Sequence, residues 1–213
     1  MIIQAFLLIL YATLTHAQRE TINFDFGWKF QLLNSSSSPL LDKERTVPYE
    51  TSGFDSSLWE LVDAPHDMLI EQKPDATKGD PKMGFYPRGA GLYQKEFRLP
   101  GEWKGTSVWV YIEGSFHKTN SWFNGQHLGE HVAGYTSFWL RLDDANPNWG
   151  GENNLTLHVD ATSGTGWWYE GGGLMRHNYL ISASPLHAAQ NGVWAYANIS
   201  GAIMKSPGHQ VQG

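Results

Sequence analysis

Four carboxylates, those of Asp67, Glu113, Asp160 and Glu170, are the first candidates for acid–base chemistry in this chain. Two carboxyl groups about 5 Å apart, one neutral and one ionised, can cleave a glycosidic bond. Glu113 and Asp160, however, each end an alternating segment on its outward side, which predicts a solvated strand end. Asp67 follows a Pro-His pair, where an aspartate commonly accepts N–H groups of its own turn. The residue pattern therefore assigns no catalytic carboxylate.

Metal binding and nucleophilic catalysis find little support in the remaining polar residues. The most plausible metal ligands are His127, Glu130 and His131. Histidines four residues apart share a face only on a helix, and these two lie next to a predicted hairpin turn, so their spacing loses its meaning. The chain has no Gly-x-Ser-x-Gly elbow, so a serine nucleophile is unsupported. It has no cysteine, which excludes thiolate metal sites and thiol redox chemistry. We predict no metal and no cofactor.

Aromatic rings are better candidates for ligand contact, because the C–H faces of a pyranose are apolar and can cover a ring. Trp167, Trp168 and Tyr169 directly precede glutamate and three glycines, which allow a sharp turn or a close approach to a neighbour. A second interpretation is that Trp168 packs at a domain interface and Arg176 anchors a strand. Both interpretations stay open.

The composition favours a sheet protein of one full domain plus a remnant. The 213 residues include 23 glycines and 10 tryptophans, but only 17% are charged, which favours short strands, tight turns and aromatic surfaces. A formal net charge of -6 without a basic cluster argues against a nucleic-acid partner.

Alternating segments and turn signals define the elements that must position these side chains. Residues 107–113 and 154–160 alternate with the period of two that is typical of strands. Their inward side chains are predicted to be Val108, Val110 and Ile112 in the first segment and Leu155, Leu157 and Val159 in the second. Asn124-Gly125 between apolar runs predicts a type I′ hairpin. The lack of helical periodicity after the leader predicts an all-β sandwich or jelly roll.

Two long polar stretches predict loops. Residues 34–57 are rich in turn-forming side chains and predict a surface loop, whereas residues 72–87, before a strand predicted at 92–99, are the strongest candidate for a functional loop. The first domain is expected to close near Leu186. A strand-like segment at 192–199 is interpreted as the first strand of a second domain; alternatively, it returns to the first sandwich.

The N-terminus predicts export. Residues 1–17 combine an apolar run with small residues before a cleavage point after Ala17, which is typical of a signal peptide; the alternative is a buried first strand or helix. Secretion agrees with three N-glycosylation sequons, at Asn34, Asn154 and Asn198, whose use requires surface exposure. We therefore expect a secreted glycoprotein.

The order of several motifs resembles one known family. Pro65-His66-Asp67, Gly91-Leu92-Tyr93, Asn124-Gly125, residues 134–138 and residues 167–176 follow one another as in the N-terminal sugar-binding domain of glycoside hydrolase family 2, with closest similarity to the β-galactosidase-like branch. The resemblance implies a jelly-roll, galactose-binding-like β-sandwich over residues 18–187. It also implies that residues 188–213 begin an immunoglobulin-like sandwich, with the catalytic glutamates in a (β/α)₈ barrel outside this chain.

The same resemblance implies where a sugar would be contacted. In the family, loops equivalent to 88–91 and 167–170 approach the mouth of the barrel, so Arg88, Trp167 and Glu170 are the candidate substrate-binding residues. Trp167 stands where the branch often has arginine, and Met68 replaces a tryptophan. The implied partners are a β-galactoside-like glycan and the missing immunoglobulin-like and barrel domains.

Two other interpretations compete with this non-catalytic role in a glycosidase. The aromatic composition also suits a free-standing lectin-like module that binds carbohydrate. A purely structural or pseudo-enzyme fragment would neither bind sugar nor hydrolyse it.

Overall fold

The computed structural model describes residues 19–33 and 56–197, and this part of the chain folds into β-strands with two short 3₁₀ helices. The strands are β1 (Glu20–Asn23), β2 (Trp28–Leu33), β3 (Glu60–Val62), β4 (His66–Asp67), β5 (Ala90–Arg98), β6 (Ser107–Ile112), β7 (Ser115–Phe116), β8 (Lys118–Phe123), β9 (Gln126–His131), β10 (Phe138–Arg141), β11 (Glu152–Asp160), β12 (Gly173–Leu174) and β13 (Asn178–Ala183). The 3₁₀ helices are Pro81–Met83 and Gly101–Trp103.

Two antiparallel sheets enclose one core. The first has the order β1-β13-β6-β10, and the second has the order β3-β2-β5-β11-β8-β9. Apolar side chains of both sheets join a single buried cluster, for example Val110 of β6 and Leu157 of β11. The two sheets therefore form a β-sandwich, and the predicted all-β class is confirmed. A small third sheet, β4-β12-β7, consists of strands of two residues each. β7 and β12 lie on connections between the two larger sheets, whereas β4 lies between β3 and β5 of the second sheet.

The predicted alternation is confirmed on the inward faces and fails on one outward face. Val108, Val110 and Ile112 of β6 are fully buried, and so are Leu155, Leu157 and Val159 of β11. Thr156, His158 and Asp160, which alternation places outward, are buried as well. β11 is an inner strand, so side chains of β5 and β8 flank its outward face on both sides. The prediction of a solvated strand end at Asp160 is therefore wrong.

The hairpin between β8 and β9 forms as predicted. Asn124 and Gly125 have φ angles of 49° and 81°, which are the positive values that a type I′ turn requires, and Phe123 pairs with Gln126. The Asn124 side chain also accepts the N–H of Asn154 at 2.9 Å. The predicted sequon at Asn154 thus lies on a half-buried strand position, while Asn34 and Asn198 lie outside the described residues.

The segment that follows β13 contains no strand as far as Ala197, the last residue described. The strand predicted from Gly192 is not formed over 192–197, because a strand requires a hydrogen-bonded partner and the described chain provides none there. Trp194 and Tyr196 are instead 84% and 79% exposed. The signal peptide and most of the 34–57 loop lie outside the described residues, and the domain boundaries stay a prediction. Residues 19–33 and 56–197 contain no helix with the length and hydrophobicity needed to cross a membrane.

Candidate functional site

The small sheet borders an open pocket of about 250 Å³ at one end of the sandwich. This is the end at which β5 begins and β11 finishes, since Ala90 pairs with Asp160 and the N–H of His117 donates to the carbonyl of Asp160. The pocket is lined by Pro65, His66, Asp67, Phe116, Tyr169, Glu170, Gly171, Gly172 and Met175. It therefore joins the Pro-His-Asp motif to the aromatic and glycine-rich run, which the sequence separates by about a hundred residues.

Glycine is required at position 173 to bring these segments together. A Cβ there would lie 2.3 Å from the hydroxyl oxygen of Tyr93 and 2.5 Å from the carbonyl oxygen of His66, and φ is +121°. Any larger residue would force the backbone of β4 or β12 to move. Close approach is thus the reason for this glycine, as the run of three glycines predicts.

Asp67 links its own turn to the opposite wall of the pocket. One carboxylate oxygen, Oδ1, accepts the N–H groups of Leu69 and Gly172, both at 3.0 Å. The other oxygen, Oδ2, accepts the hydroxyl of Tyr169 at 2.7 Å. Burial, and then this hydrogen bond, raise the pKa of Tyr169, which stays a neutral donor. The predicted turn-organising role of Asp67 is confirmed, and the bridge to Tyr169 adds to it.

Glu170 is a buried carboxylate whose two oxygens are both occupied. Oε1 accepts the N–H and the hydroxyl of Thr165 at 2.7 and 2.6 Å, and Oε2 accepts two N–H groups of Arg88 at 3.3 and 3.2 Å. Burial alone would raise the pKa of Glu170, but these donors outweigh it and the pKa is lowered. Glu170 therefore stays ionised and cannot act as a proton donor at neutral pH.

The pocket has two carboxylate residues in its wall without the arrangement of a glycosidase pair. Three donors engage Asp67 and four engage Glu170, so both groups hold backbone and side chains in place. Glycoside hydrolysis needs one neutral acid and one ionised partner facing the same bond. The arrangement can orient a ligand, but it cannot perform this acid–base chemistry.

The three predicted substrate-binding residues separate into two groups. Arg88 and Glu170 are brought together, but they bind each other. Trp167 is 83% exposed, with the ammonium of Lys82 lying 5.1 Å from its ring centroid. Trp168 is also exposed. A role in sugar contact stays a prediction for all three, with Trp167 presenting the most accessible ring.

Other candidate residues are held by local contacts. Arg176 donates to the carbonyl of Tyr135 at 3.2 Å, which fastens a neighbouring loop. His127 and His131 use their Nε2 atoms for Asn120 and for the 133–136 turn, respectively. No group of three His, Asp or Glu side chains is arranged for a metal ion within the described parts of the chain.

Sequence reasoning missed a buried polar chain behind the pocket. The Nδ1 atom of His66 lies 2.7 Å from the hydroxyl oxygen of Tyr93, and its Nε2 atom lies 3.0 Å from Glu71. Burial raises the pKa of Tyr93 well above its usual range. The Pro-His-Asp and Gly-Leu-Tyr motifs contain both residues, but nothing in their spacing indicates that they touch. Met68, which follows the Pro-His-Asp motif, lies in the core.

The chain is similar to parts of known glycosidases, although no family model matches it. It is 28% identical over 184 residues to a β-galactosidase of Bacteroides ovatus, covering 83% of this chain and 20% of that protein. It is 26% identical over 190 residues to a β-glucuronidase of Formosa agariphila, covering 82% of this chain and 18% of the relative. The chain thus spans about a fifth of the length of these relatives.

Solved structures agree with these similarities. A β-glycosidase from Bacteroides vulgatus superposes with a TM-score of 0.67 at 34% identity, covering 78% of this chain and 20% of that one. A glycosyl hydrolase family 2 member from Bacteroides cellulosilyticus gives a TM-score of 0.65 at 29% identity, covering 80% and 22%. The similar proteins include both β-galactosidase and β-glucuronidase activities, so they do not select a branch. The order of the motifs, the β-sandwich and these similarities together identify the chain as a domain of glycoside hydrolase family 2.

Proposed function

We propose that this chain is the non-catalytic N-terminal domain of a secreted family 2 glycosidase, of the β-galactosidase-like branch. In this role it supports a catalytic barrel that lies outside these 213 residues and lends contacts to the edge of the bound sugar. The immunoglobulin-like and barrel domains would be its partners in the same polypeptide. Hydrolysis of the glycosidic bond would depend entirely on the barrel.

The observation that carries this proposal is the hydrogen bonding of the two pocket carboxylates. Asp67 and Glu170 are held by backbone and side-chain donors, so the pocket has no free acid that could protonate a leaving group. Trp167, which precedes the lining residues Tyr169 and Glu170 in sequence, presents an exposed ring whose apolar face a sugar could cover. The combination suits a contact surface and not a catalytic centre.

Hydrolysis by the isolated chain is the first test. The purified 213-residue protein would be incubated with nitrophenyl β-galactoside, β-glucuronide and β-mannoside, and nitrophenol release would be followed by absorbance. We expect no turnover above the rate without protein. Turnover that disappears on Glu113→Gln or Glu170→Gln substitution would contradict the proposal, because a catalytic carboxylate would then lie within this chain.

A free-standing lectin-like module is the second candidate, favoured by the exposure of Trp167. Isothermal titration with β-galactosides and β-glucans distinguishes it: binding at millimolar or tighter affinity that is lost in Trp167→Ala would favour a lectin. Trp194→Ala is a matched control, because Trp194 is 84% exposed against 83% for Trp167, but it lies in the segment after the sandwich. Binding that is weaker than millimolar favours the glycosidase domain.

Secretion and glycosylation need their own experiment. Expression of the chain in a eukaryotic secretory host should release protein into the medium, with an electrophoretic shift that an N-glycosidase removes. Asn154→Gln should reduce the shift by one glycan, with Asn34→Gln and Asn198→Gln as comparisons. Retention of the protein inside the cells without cleavage of residues 1–17 would contradict the export prediction. Sequencing of the transcript beyond Gly213 would test for the barrel directly.

A further inference from the structure

The pocket beside β4 and β12 offers acceptors to a ligand and few donors. Asp67 has about four acceptor positions on its two oxygens, and three are taken by Leu69, Gly172 and Tyr169. The remaining position is on Oδ2, the oxygen that accepts from Tyr169. An ionised carboxylate can only accept a hydrogen bond, so a ligand group at this position must be a donor such as a sugar hydroxyl.

The lining of the pocket has no lysine or arginine among its nine residues. The guanidinium of Arg88 is bound to Glu170, whose side chain is fully buried. His66, which lines the pocket, uses one ring nitrogen for the carboxylate of Glu71. The carboxylate of Asp67 therefore has no lysine or arginine partner among the residues that line the pocket.

We infer that this pocket selects by charge: it takes neutral pyranosides and rejects the same sugars when carbon 6 carries a carboxylate. This inference rests on the proposed function, because it assumes that the pocket contacts the sugar. A uronate brought next to Asp67 places a second negative charge beside a carboxylate, whereas the hydroxymethyl group of a neutral sugar can donate a hydrogen bond to it. The distinction concerns the two activities represented among the similar proteins.

Matched ligand pairs test the inference directly. Methyl β-galactopyranoside and methyl β-galacturonopyranoside differ only at carbon 6, and methyl β-glucopyranoside and methyl β-glucuronopyranoside form a second pair. Each would be titrated into the full chain, with binding followed by NMR chemical shifts. At an ionic strength of about 0.01 M we expect the neutral member to bind about tenfold more tightly than the uronate. The repulsion between two like charges a few ångströms apart corresponds to a difference in Kd of about that size. At about 1 M the difference should shrink, because the screening length falls to about 3 Å.

Asp67→Asn is the decisive variant. Its amide oxygen can still accept the N–H groups of Leu69 and Gly172, and its NH₂ group can donate to the hydroxyl oxygen of Tyr169, so the local structure is retained while the charge is removed. We expect the tenfold preference to disappear in this variant. Thermal unfolding monitored by circular dichroism would verify that it is folded.

Glu102→Gln is the matched control, because it removes the same unit of charge elsewhere. Glu102 is exposed and follows the C-terminal end of β5. That strand is nine residues long, and its other end borders the pocket. The Glu102→Gln variant should prefer neutral sugars to the same extent as the unmodified chain. If Glu102→Gln abolished the preference as Asp67→Asn does, net charge and not the pocket would be responsible.

The outcomes separate this inference from the function on which it rests. Equal or tighter binding of the uronates by the unmodified chain, or an unchanged preference in folded Asp67→Asn, would overturn charge selection alone. If no member of either pair binds, the sugar contact itself is refuted and charge selection falls with it. The absence of hydrolysis, which tests the non-catalytic role, is measured independently of all these titrations.

Discussion

Two aspartates, Asp25 and Asp67, fasten early parts of the chain to the same late run, residues 169–178, but they differ in exposure. Asp25 is 2% exposed and accepts the N–H of Asn178 at 2.7 Å and His177 Nδ1 at 2.8 Å. Asp67 makes equivalent bonds to Gly172 and Tyr169 but is only half-buried, and it borders the pocket. The same type of contact is thus sealed at one aspartate and remains accessible to a ligand at the other.

The surroundings of the two carboxylates differ in the same sense. Burial alone would raise the pKa of Asp25, but hydrogen bonds from Asn178, His177 and Asn23 outweigh it, and the pKa is lowered. Burial lowers the pKa of the nearby Lys95 to about 8, and the negative charge of Asp25 counteracts part of this shift. Asp67 has no cationic neighbour in the pocket lining. The difference indicates a stabilising role for Asp25 and an additional recognition role for Asp67.

The largest expected effect comes from glycines next to the two aspartates. Gly173→Ala places a Cβ against Tyr93 and the backbone of His66, and we expect it to lower the free energy of unfolding by about 4 kcal/mol. Gly27→Ala is the matched control: Gly27 also has a positive φ, of +74°, but nothing lies within 4 Å of its Cβ position, so strain alone should cost about 1 kcal/mol. Urea denaturation measures both. Equal losses would show that Gly173 is not tightly enclosed.

Removal of the aspartates should have the next largest effect and distinguish them. Asp25→Ala leaves the buried N–H of Asn178 without a partner, and we expect a loss of about 3 kcal/mol in the free energy of unfolding. Asp67→Ala should cost about 2 kcal/mol, because water can reach the freed donors beside the pocket. The order of the two losses, measured by urea denaturation, checks the comparison. A larger loss of stability in Asp67→Ala than in Asp25→Ala would contradict the stabilising role assigned to Asp25.

The pair of Asp25 and His177 should give stability a defined pH window. The pKa of Asp25 is lowered from 3.8, so its contribution is present above that value and is lost as the pH falls through the folded-state pKa. The pKa of His177 is raised above 6.5, mainly by its hydrogen bond to Asp25, so its contribution is complete below 6.5 and is lost as the pH rises through the folded-state pKa. The pair is therefore strongest between these limits.

Urea midpoints measured from pH 3 to pH 9 test this window. We expect the excess stability of the unmodified chain over Asp25→Asn to be greatest between pH 3.8 and 6.5 and to decline on both sides. The corresponding Asp67→Asn profile should lack the decline above pH 6.5, because no histidine donates to Asp67 in the described chain. A difference that is independent of pH at Asp25 would rule out its ionic pairing with His177.

The smallest effect should come from removing one hydroxyl group. Tyr169→Phe deletes the donor to Asp67, and we expect a loss of about 1 kcal/mol in the free energy of unfolding. Tyr179→Phe, on the outward face of β13, should stay within about 0.5 kcal/mol. Thermal or urea unfolding measures both. Equal changes in the two variants would mean that the hydrogen bond from Tyr169 to Asp67 adds nothing to the free energy of unfolding.

Local patterns predict the strands of this fold better than its contacts. The alternation in β6, the Asn-Gly hairpin and the turn-organising role of Asp67 each depend on residues within a few positions of one another, and all three are confirmed. The burial of His158 and Asp160 was not predicted, because it depends on which strands flank β11. Alternation indicates which face a side chain is on, but not whether that face is covered.

The candidate site was predicted only in part, for a similar reason. Family resemblance indicated Arg88, Trp167 and Glu170, and two of them proved to be adjacent. Neither the bond between Asp67 and Tyr169, 102 positions apart, nor the contact between His66 and Tyr93 has a signature in spacing. His66 and Asp67 form the two-residue strand β4, which is too short to show a periodic pattern that would indicate its partners.

The position of β13 also constrains how a ribosome can deliver this domain. β13 is the last strand of the described sandwich in sequence order, yet it lies between β1 and β6 and not at an edge. Until residue 183 has emerged, β6 has one unfilled edge and Asp25 lacks two of its donors, His177 and Asn178, the second of which is 153 residues away. The first sheet of the nascent domain is therefore incomplete until β13 is available, and the edge of β6 that awaits it is exposed to unwanted strand pairing. Folding governed by such distant pairs is expected to be slow and to begin only after the whole domain has been translated.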